Sequence, residues 1–236
     1  MQALVTGSAR RLGRAIALAL HRAGYRVAIH YRSSRAEAEE TAALLGDAPL
    51  VQGDQAREPE RIVAEAVRAL GGLDLLVCSA ARFEKAAAER LPRAQFEQML
   101  ASNLTGPFYL MQAALPPLRA ARGSVVTLLD VCGTTQVWKG YAHYAASKAG
   151  LAALTRLLAL EWAPEVRVNG VAPGTVLPPP GMDAAHLAQR IPLGRIGTPE
   201  DVARAVLFLA KEPFITGEIL TVDGGRSLNP WSSGDI

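Results

Sequence analysis

The sequence predicts an α/β fold in which one doubly wound parallel sheet of about seven strands carries helices on both faces. Short β-branched runs alternate along the chain with Ala-, Leu- and Arg-rich runs of helical character. The strand-like runs are apolar throughout, as expected when both faces of a parallel sheet are covered. Right-handed crossovers between successive strands then give the doubly wound arrangement.

The first part of the chain predicts four strands that alternate with three helices. The strands are expected at 2–7, 26–31, 48–54 and 73–80, and the helices at 12–24, 36–46 and 58–72. Gly24 ends the first helix and Gly46 ends the second. Pro59 lies early in the third helix and glycines follow that helix, which is the usual helix punctuation.

The remainder of the chain predicts three more strands, at 123–130, 166–174 and 217–225. Long helices are expected around 95–121 and 143–163, and another from about Pro199. Residues 173–197 are rich in Pro and Gly and form a long connection, of the kind that often acts as a lid or binding segment. No repeat or linker divides the chain, so we expect one domain over 1–228 and a tail at 229–236.

Composition excludes several classes of function. The 236 residues are half apolar and 20% charged, which is typical of a globular protein with one substantial core. The net charge of +3 is small and the arginines are scattered, which argues against nucleic-acid binding. No run is long enough to span a bilayer, and no signal-peptide pattern is present. The four histidines show no metal spacing.

The two cysteines indicate the compartment. Cys78 and Cys132 fit free thiols in a reducing cytosol, and we expect them to have a packing role. The sequence therefore predicts a cytoplasmic protein with no membrane, nucleic-acid or metal partner.

The first turn and the end of the second strand predict a nucleotide site. Gly7 and Gly13 flank a loop that opens a helix directly after a strand, where backbone N–H groups favour an anion. The second strand ends in "HYRSS", so Arg32 stands where an NAD-preferring site has an acid. A guanidinium binds a 2′-phosphate bidentately, and Arg10 and Arg11 add positive charge in the first turn. We expect NADP(H), the alternative being a solvated basic loop.

Three neighbouring residues join this expected site. Ser33 and Ser34 follow Arg32, and Asp54 ends the third predicted strand. The Asp54 carboxylate could accept a hydrogen bond from the adenine amine, or could be an ordinary turn aspartate.

An acid, a phenol and an ammonium predict a chemical site. Tyr144 and Lys148 are four apart and share a helix face. A cation near a phenol lowers the phenol pKa of roughly 10, typically by about 1–3 units, which makes Tyr144 a proton donor near neutrality. Asp130 ends an apolar strand fourteen positions earlier. An incidental Tyr–Lys pair on an amphipathic surface is the alternative.

These motifs together resemble the short-chain dehydrogenase/reductase family over nearly the whole chain. The family's first-turn motif resembles "TGSARRLG", its helix asparagine corresponds to Asn103 in "SNLTGPF", and its catalytic pair lies in "YAASK". Its late strands resemble "VNGVAPG" and "TVDGG". The resemblance implies a Rossmann-type fold, with Asn103 among the catalytic residues. It also implies cofactor contacts at Leu12, Tyr31, Ala80, Tyr144, Lys148, Pro173 and Gly174.

Two departures from the family pattern narrow the resemblance. The family usually has a catalytic Ser after the fifth strand, where this chain has Asp130. It also usually has Asn-Asn-Ala-Gly after the fourth strand, where Cys78 and Ser79 replace the paired Asn. The first departure resembles the pteridine reductase branch, which uses Asp in the serine position and has a first-turn Arg.

The same branch has an aromatic residue shortly after the fourth strand, where this chain has Phe83. The resemblance therefore implies that the substrate is bound by Phe83, Arg11, Asp130 and Tyr144. A carboxyl beside a phenol suits a ring nitrogen that must be protonated, and Phe83 could stack on a pterin.

Three hypotheses follow, in this order. The first is an NADPH-dependent reductase of a pteridine of dihydrobiopterin, dihydromonapterin or dihydrofolate type. The second is a carbonyl reductase such as a 3-oxoacyl-carrier-protein reductase. The third is a non-catalytic NADP-sensing protein. The apolar outer faces of helices around 103–120 and 146–162 resemble the family's subunit interface, so we expect a homo-oligomer, with a tetramer favoured over a dimer.

Overall fold

A computed structural model describes residues 1–177 and 184–228. The predicted tail at 229–236 and the central part of the predicted loop, 178–183, lie outside the described residues. The fold prediction is confirmed, because the described strands form one seven-stranded parallel sheet in the order β3-β2-β1-β4-β5-β6-β7.

The strands and helices follow the predicted order, except that a short helix at Ala184–Ala188 lies inside the connection predicted at 173–197. The strands are β1 (Gln2–Val5), β2 (Arg26–Tyr31), β3 (Leu50–Gln52), β4 (Leu75–Cys78), β5 (Ser124–Leu128), β6 (Arg167–Pro173) and β7 (Ile219–Val222). The helices are α1 (Arg11–Arg22), α2 (Arg35–Leu44), α3 (Pro59–Leu70), α4 (Arg93–Leu100), α5 (Gly106–Ala121), α6 (Ala142–Trp162), α7 (Ala184–Ala188) and α8 (Pro199–Lys211). No helix in the described ranges is long and apolar enough to cross a membrane.

The core lies on both faces of the sheet because successive residues of a strand point to opposite sides. Val5 packs in one cluster with residues of α1 and α8. Its neighbour Leu4 packs in the other cluster with residues of α3, α5 and α6. Apolar strands are therefore required on each side, as the sequence indicated.

The order of the strands reverses between β1 and β4. β2 and β3 extend the sheet on one side of β1, and β4 to β7 extend it on the other. The loops that leave β1 and β4 therefore diverge, and the crevice between them is the usual ligand site of such sheets.

The helix predicted around 95–121 is interrupted. α4 ends at Leu100, a π-helical turn spans Ala101–Thr105, and α5 begins at Gly106. Pro107 explains the interruption, because proline has no N–H to donate to the carbonyl four residues earlier and its ring crowds that carbonyl. The widened turn carries Asn103, which is buried.

Candidate active site

The first turn brings two loops into contact at the point where the strand order reverses. Gly7 has a φ of +64°, and a Cβ there would meet the Ala80 Cα at 2.9 Å. A Cβ on Gly13 would meet the Gly7 carbonyl oxygen at 2.3 Å. Both positions therefore require glycine.

The start of α1 fits a phosphate. Its first turn carries no acidic residue, and the N-cap residue Arg10 makes no side-chain capping bond. The N–H groups of this turn thus lack the carboxylate or hydroxyl that normally caps them, and the helix dipole favours an anion there. The residues present fit the diphosphate of a dinucleotide.

A buried histidine, whose role was not predicted from the sequence, supports the first turn. His30 Nδ1 accepts a hydrogen bond from the Gly7 N–H at 3.2 Å, and His30 Nε2 lies 3.1 Å from the Gly53 carbonyl oxygen. Nε2 therefore carries the proton. Burial lowers the pKa of His30 to about 4, so the ring is neutral. The available signal was a polar residue inside an otherwise apolar strand.

The turn after β4 is held without the family's paired asparagines. The Thr6 hydroxyl oxygen accepts hydrogen bonds from the Ser79 and Ala80 N–H groups, both at 3.0 Å. Gln55 Nε2 donates to the Ala80 carbonyl oxygen at 3.1 Å. These side chains take over the positioning of a turn that lies against Gly7. Burial raises the pKa of the Cys78 thiol to about 12, so Cys78 is a neutral packing residue.

Asn103 holds the segment that follows this turn. Its Oδ1 accepts from the Arg82 N–H at 2.8 Å, and its Nδ2 donates to the Arg82 carbonyl oxygen at 2.9 Å. Nδ2 also lies 3.3 Å from the Ser147 hydroxyl of α6. In this structure Asn103 therefore positions the chain next to Phe83.

The predicted phosphate-binding arginines follow the carboxyl ends of β1 and β2 and lie on the surface. Arg32 Nη1 is 3.7 Å from the Asp54 carboxylate, and Arg10 Nη1 is 3.4 Å from the Glu37 carboxylate. Arg11 is exposed and has a φ of +55°. Exposed ion pairs of this kind contribute only about 0–1 kcal/mol, so a phosphate can displace them.

The remaining predicted cofactor residues lie at the carboxyl ends of β2 and β6 or at the start of α1. Tyr31 is buried in the core at the end of β2. Ser33 is exposed, and Ser34 precedes α2 without a side-chain capping bond. Pro173 ends β6, and the Gly174 N–H donates to the Val222 carbonyl oxygen at 3.0 Å. Leu12 lies in the first turn of α1 and is partly buried.

Asp130 lies in the turn after β5, two residues beyond the end of the strand at Leu128. The predicted strand ran to Asp130 because the chain still follows β6 there: the Val131 N–H donates to the Pro173 carbonyl oxygen at 3.0 Å. Asp130 Oδ1 accepts from the Cys132 N–H at 2.8 Å, and Oδ2 accepts from the Tyr144 hydroxyl at 2.8 Å. The carboxylate therefore both caps its turn and contacts the phenol.

Lys148 joins Asp130 and Tyr144 in this cluster, from the same face of α6 as Tyr144. Its Nζ donates to the Leu128 carbonyl oxygen at 2.6 Å and lies 5.8 Å from the centroid of the Tyr144 ring. Burial lowers the pKa of Lys148 to about 8. The ammonium is thus fixed beneath the phenol by the end of β5.

Burial determines the charge states of this group. Loss of solvent contact raises the pKa of Asp130 to about 6, although the Cys132 N–H, Tyr144 and Lys148 oppose the shift. The pKa of Tyr144 lies well above 10, first because of burial and then because of the Asp130 charge. The prediction that Lys148 lowers the phenol pKa is therefore wrong for this structure. The acid that titrates near neutrality is Asp130, and the base is Lys148 with its pKa of about 8.

An aromatic wall stands beside the Tyr144 hydroxyl. The Phe83 ring stacks on Tyr141 with centroids 4.8 Å apart and an interplanar angle of 20°. It meets the Tyr144 ring edge-on at 4.8 Å and the Trp138 ring edge-on at 6.5 Å. Phe83 is 46% exposed, so one aromatic face next to the phenol is open to a flat ligand.

Comparison with known proteins agrees with this fold. The model of a family described as "Enoyl-(Acyl carrier protein) reductase" matches residues 7–227. A solved structure from Brucella melitensis, described as a short-chain dehydrogenase/reductase (glucose/ribitol dehydrogenase), superposes with a TM-score of 0.89 at 32% identity, covering 95% of this chain and 96% of that one. The chain belongs to the short-chain dehydrogenase/reductase family. It is an oxidoreductase of that family.

Relatives in this family carry names that span several substrates. The chain is 40% identical to the putative ketoacyl reductase 2 of the granaticin polyketide synthase from Streptomyces violaceoruber, over 96% of each chain. It is 36% identical to the 3-oxoacyl-[acyl-carrier-protein] reductase FabG of Staphylococcus aureus, over 94% of this chain and 96% of that one. It is 34% identical to 3beta-hydroxysteroid dehydrogenase 1 of Eggerthella lenta, over 96% and 94%.

Besides the missing paired asparagines, the site differs from the usual family pattern in the residue that follows β5. Asp130 occupies the position after β5 where the family usually has a serine hydroxyl, and it is hydrogen-bonded to Tyr144. A carboxyl that titrates near neutrality therefore replaces a hydroxyl that does not.

Proposed function

We propose that the chain is an NADPH-dependent reductase that reduces a ring C=N bond of a pteridine of dihydrobiopterin, dihydromonapterin or dihydrofolate type. The observation that carries this proposal is the 2.8 Å hydrogen bond from the Tyr144 hydroxyl to Asp130 Oδ2. A carboxyl with a pKa of about 6 beside a phenol can supply a proton near neutrality and then accept N–H donors.

The chain's own residues account for the proton. NADPH, when bound, supplies the hydride to a ring carbon, and the adjacent ring nitrogen must gain a proton. Protonated Asp130 donates either directly or through the Tyr144 hydroxyl that it already contacts. Tyr144 passes the proton on without ionising, because it accepts the Asp130 proton as it donates its own, while Lys148 is held 5.8 Å from the phenol ring by the Leu128 carbonyl oxygen. Ionised Asp130 then accepts from the N–H groups of the product.

The aromatic wall supports a planar substrate. Phe83 presents an open face next to the Tyr144 edge, and a fused heterocycle could lie against it. An extended acyl thioester would gain less from this flat surface.

The choice of NADPH rests on charge at the edge of the sheet. Arg32 follows β2 where an acid would bind ribose hydroxyls, and Arg10 and Arg11 lie at the start of α1. A guanidinium recognises a phosphate through two parallel hydrogen bonds.

A second candidate function is reduction of a 3-oxoacyl thioester. The names of the ketoacyl reductase and FabG relatives favour it. Tyr144 would protonate the carbonyl oxygen, but ionised Asp130 would then face a developing oxyanion, which is unfavourable. Relatives of 34–40% identity already include ketoacyl and hydroxysteroid enzymes, so their names do not determine the substrate.

Parallel assays of NADPH oxidation distinguish the two candidates. Dihydrobiopterin, dihydromonapterin, dihydrofolate and acetoacetyl-CoA are compared at equal concentrations. We expect at least one dihydropteridine to exceed the thioester in kcat/KM by about a hundredfold. Turnover of the thioester alone would refute pteridine reduction and leave carbonyl reduction.

A further inference from the structure

A buried guanidinium next to the proposed site has unused donors. Arg226 follows β7 and is 1% exposed. Its Nη1 donates to the Thr175 hydroxyl, whereas Nε and Nη2 are buried and have no hydrogen-bond partner in the part of the chain that the structure describes. Leaving charged donors unpaired in a buried place is costly, so a function is expected to compensate.

The geometry of the unused donors is specific. The N–H bonds of Nε and Nη2 lie on the same side of the planar guanidinium and form a fork for oxygen acceptors. The Arg226 guanidinium carbon lies 5.7 Å from the centroid of the Trp138 ring, which in turn contacts Phe83. Arg226 therefore neighbours the aromatic wall, and because its fork is buried, side chains around the fork have to move for an acceptor to reach it.

Arg226 also shares its surroundings with Asp130. Burial lowers the pKa of Arg226 and the Asp130 charge raises it, while Arg226 in turn lowers the pKa of Asp130. The two side chains do not form an ion pair within 4 Å in the described residues, so each charge is felt across the site without direct contact. Gln136 Nε2 donates to the Arg226 carbonyl oxygen at 3.1 Å, which ties this turn to the loop that carries Trp138.

Another partly buried arginine in the same fold shows what a purely structural guanidinium looks like. Arg167 Nη1 donates to the Leu209 and Ile215 carbonyl oxygens at 2.9 and 3.2 Å. Its Nη2 donates to the Ala210 carbonyl oxygen at 2.8 Å. The chain thus supplies several acceptors to Arg167, whereas Arg226 receives one and keeps its fork.

We propose that Arg226 is a substrate-binding residue that determines specificity, with its Nε–Nη2 fork donating to a carbonyl oxygen of the substrate remote from the reacting bond. For the proposed pteridine substrate, on which this assignment rests, that acceptor is the ring 4-oxo oxygen. Asp130 and Arg226 then contact different edges of one planar ring whose face stacks on Phe83.

A ligand pair isolates this contact. Dihydrobiopterin carries the 4-oxo oxygen, and 2,4-diaminopteridine has an amino group in its place. Dissociation constants for both are measured with the NADP⁺ complex of the unmodified protein and of Arg226→Met, Arg226→Lys and Arg167→Met. Melting curves and NADPH affinity confirm that each variant is folded, and Arg226→Lys retains a charge if the Met variant does not fold.

We expect Arg226→Met and Arg226→Lys to weaken the 4-oxo ligand about tenfold or more, the usual cost of losing a charged hydrogen bond. The diamino ligand should change less than threefold, and Arg167→Met should affect neither ligand. Equal losses for both ligands, or no loss for either, would overturn the assignment of Arg226 while leaving pteridine reduction intact.

Failure of the proposed function can be told apart from failure of the Arg226 assignment. If the unmodified protein binds neither pteridine, pteridine reduction is wrong, and KM for acetoacetyl-CoA then decides the role of Arg226. A rise of about tenfold in Arg226→Lys supports an oxygen contact. An unchanged KM overturns it.

Discussion

In the proposed mechanism, Asp130 supplies the proton that the substrate ring nitrogen gains. Its pKa of about 6 lies above the value of 3.8 for a solvated carboxyl, chiefly because of burial. Between these two values the folded chain holds the proton more tightly than the unfolded chain, so stability falls as pH rises through that window. The shift corresponds to about 2–3 kcal/mol of stability given up to keep a titratable acid beside Tyr144.

The first prediction concerns the pH dependence of turnover. If protonated Asp130 supplies the proton, activity is present below its pKa and is lost as pH rises through about 6. The pH profile of kcat/KM for a dihydropterin should show this descending limb, the loss of activity above about pH 6, in the unmodified protein. Asp130→Asn, which has no carboxyl to titrate, should lack it. An identical limb in the Asn variant would assign the titration to another group.

The second prediction concerns Tyr144 and Lys148. Tyr144→Phe should reduce kcat by about 10²–10⁴, the range typical of general acid–base groups, while NADPH still binds. Lys148→Ala should impair both turnover and NADPH binding, because the family's lysine also holds the nicotinamide ribose. Stopped-flow turnover and NADPH fluorescence titration measure the two effects. A Tyr144→Phe protein with most of its activity would make the pair incidental.

At the scale of single residues, the sequence predicted which side chains form the site better than it predicted their pKa values. The spacing of Tyr144 and Lys148, and Asp130 before them, predicted a group that the structure places within hydrogen-bond or ring contact. The direction of the phenol pKa could not be predicted, because it depends on burial and on a neighbouring carboxylate. The role proposed for Arg226 was not predicted, because it depends on guanidinium N–H donors that are seen to be unpaired only in the folded chain.

At the scale of elements, the site is built from the ends of strands. The turns after β1 and β4 touch at Gly7 and Ala80, and the turn after β5 carries Asp130. Each is fixed by buried polar side chains, notably Thr6 and His30. Strand ends were predictable within three residues, but these supporting contacts join residues far apart in sequence and were not.

The third prediction concerns the edge formed by β2 and β3. Arg32→Ala should weaken NADPH binding about tenfold or more and leave NADH binding nearly unchanged, because only NADPH carries the 2′-phosphate. Arg93→Ala, at another exposed and ion-paired arginine on α4, is the control. Titration with both nucleotides measures the effect. Equal affinity of the unmodified protein for NADPH and NADH would contradict the cofactor assignment.

The interruption before α5 is an element-level feature that the sequence pattern concealed. Apolar spacing continues through Ala101–Thr105, so one helix was predicted. Pro107 was the available signal, because its missing N–H permits a π turn as well as a helix start. That turn places Asn103 against the Arg82 backbone.

At the scale of the whole molecule, the sheet was the most predictable feature. Apolar strands alternating with helices leave few topologies, and right-handed crossovers select the observed one. The outer faces of α5 and α6 are the less expected feature, since Tyr109, Leu157 and Leu160 are 48%, 48% and 78% exposed. Exposed apolar side chains on two long helices favour a subunit interface.

The fourth prediction tests that interface. Leu160→Glu should shift the protein to smaller species, because a buried unpaired carboxylate destabilises an interface. Light scattering after gel filtration measures the mass. Leu44→Glu, on α2 and 60% exposed, is the matched control and should leave the mass unchanged. A monomeric unmodified protein would refute the expected homo-oligomer.

The most direct test of the central claim is the substitution Asp130→Ser, which restores the residue usual in the family. We measure kcat for a dihydropterin and for a 3-oxoacyl thioester, with melting curves and NADPH affinity for both proteins. If Asp130 serves ring-nitrogen protonation, pterin turnover should fall by about 10²–10⁴ while NADPH affinity changes little and thioester reduction is kept or improved. Pterin turnover retained in Asp130→Ser would contradict the role assigned to this carboxyl and would favour the carbonyl reductase.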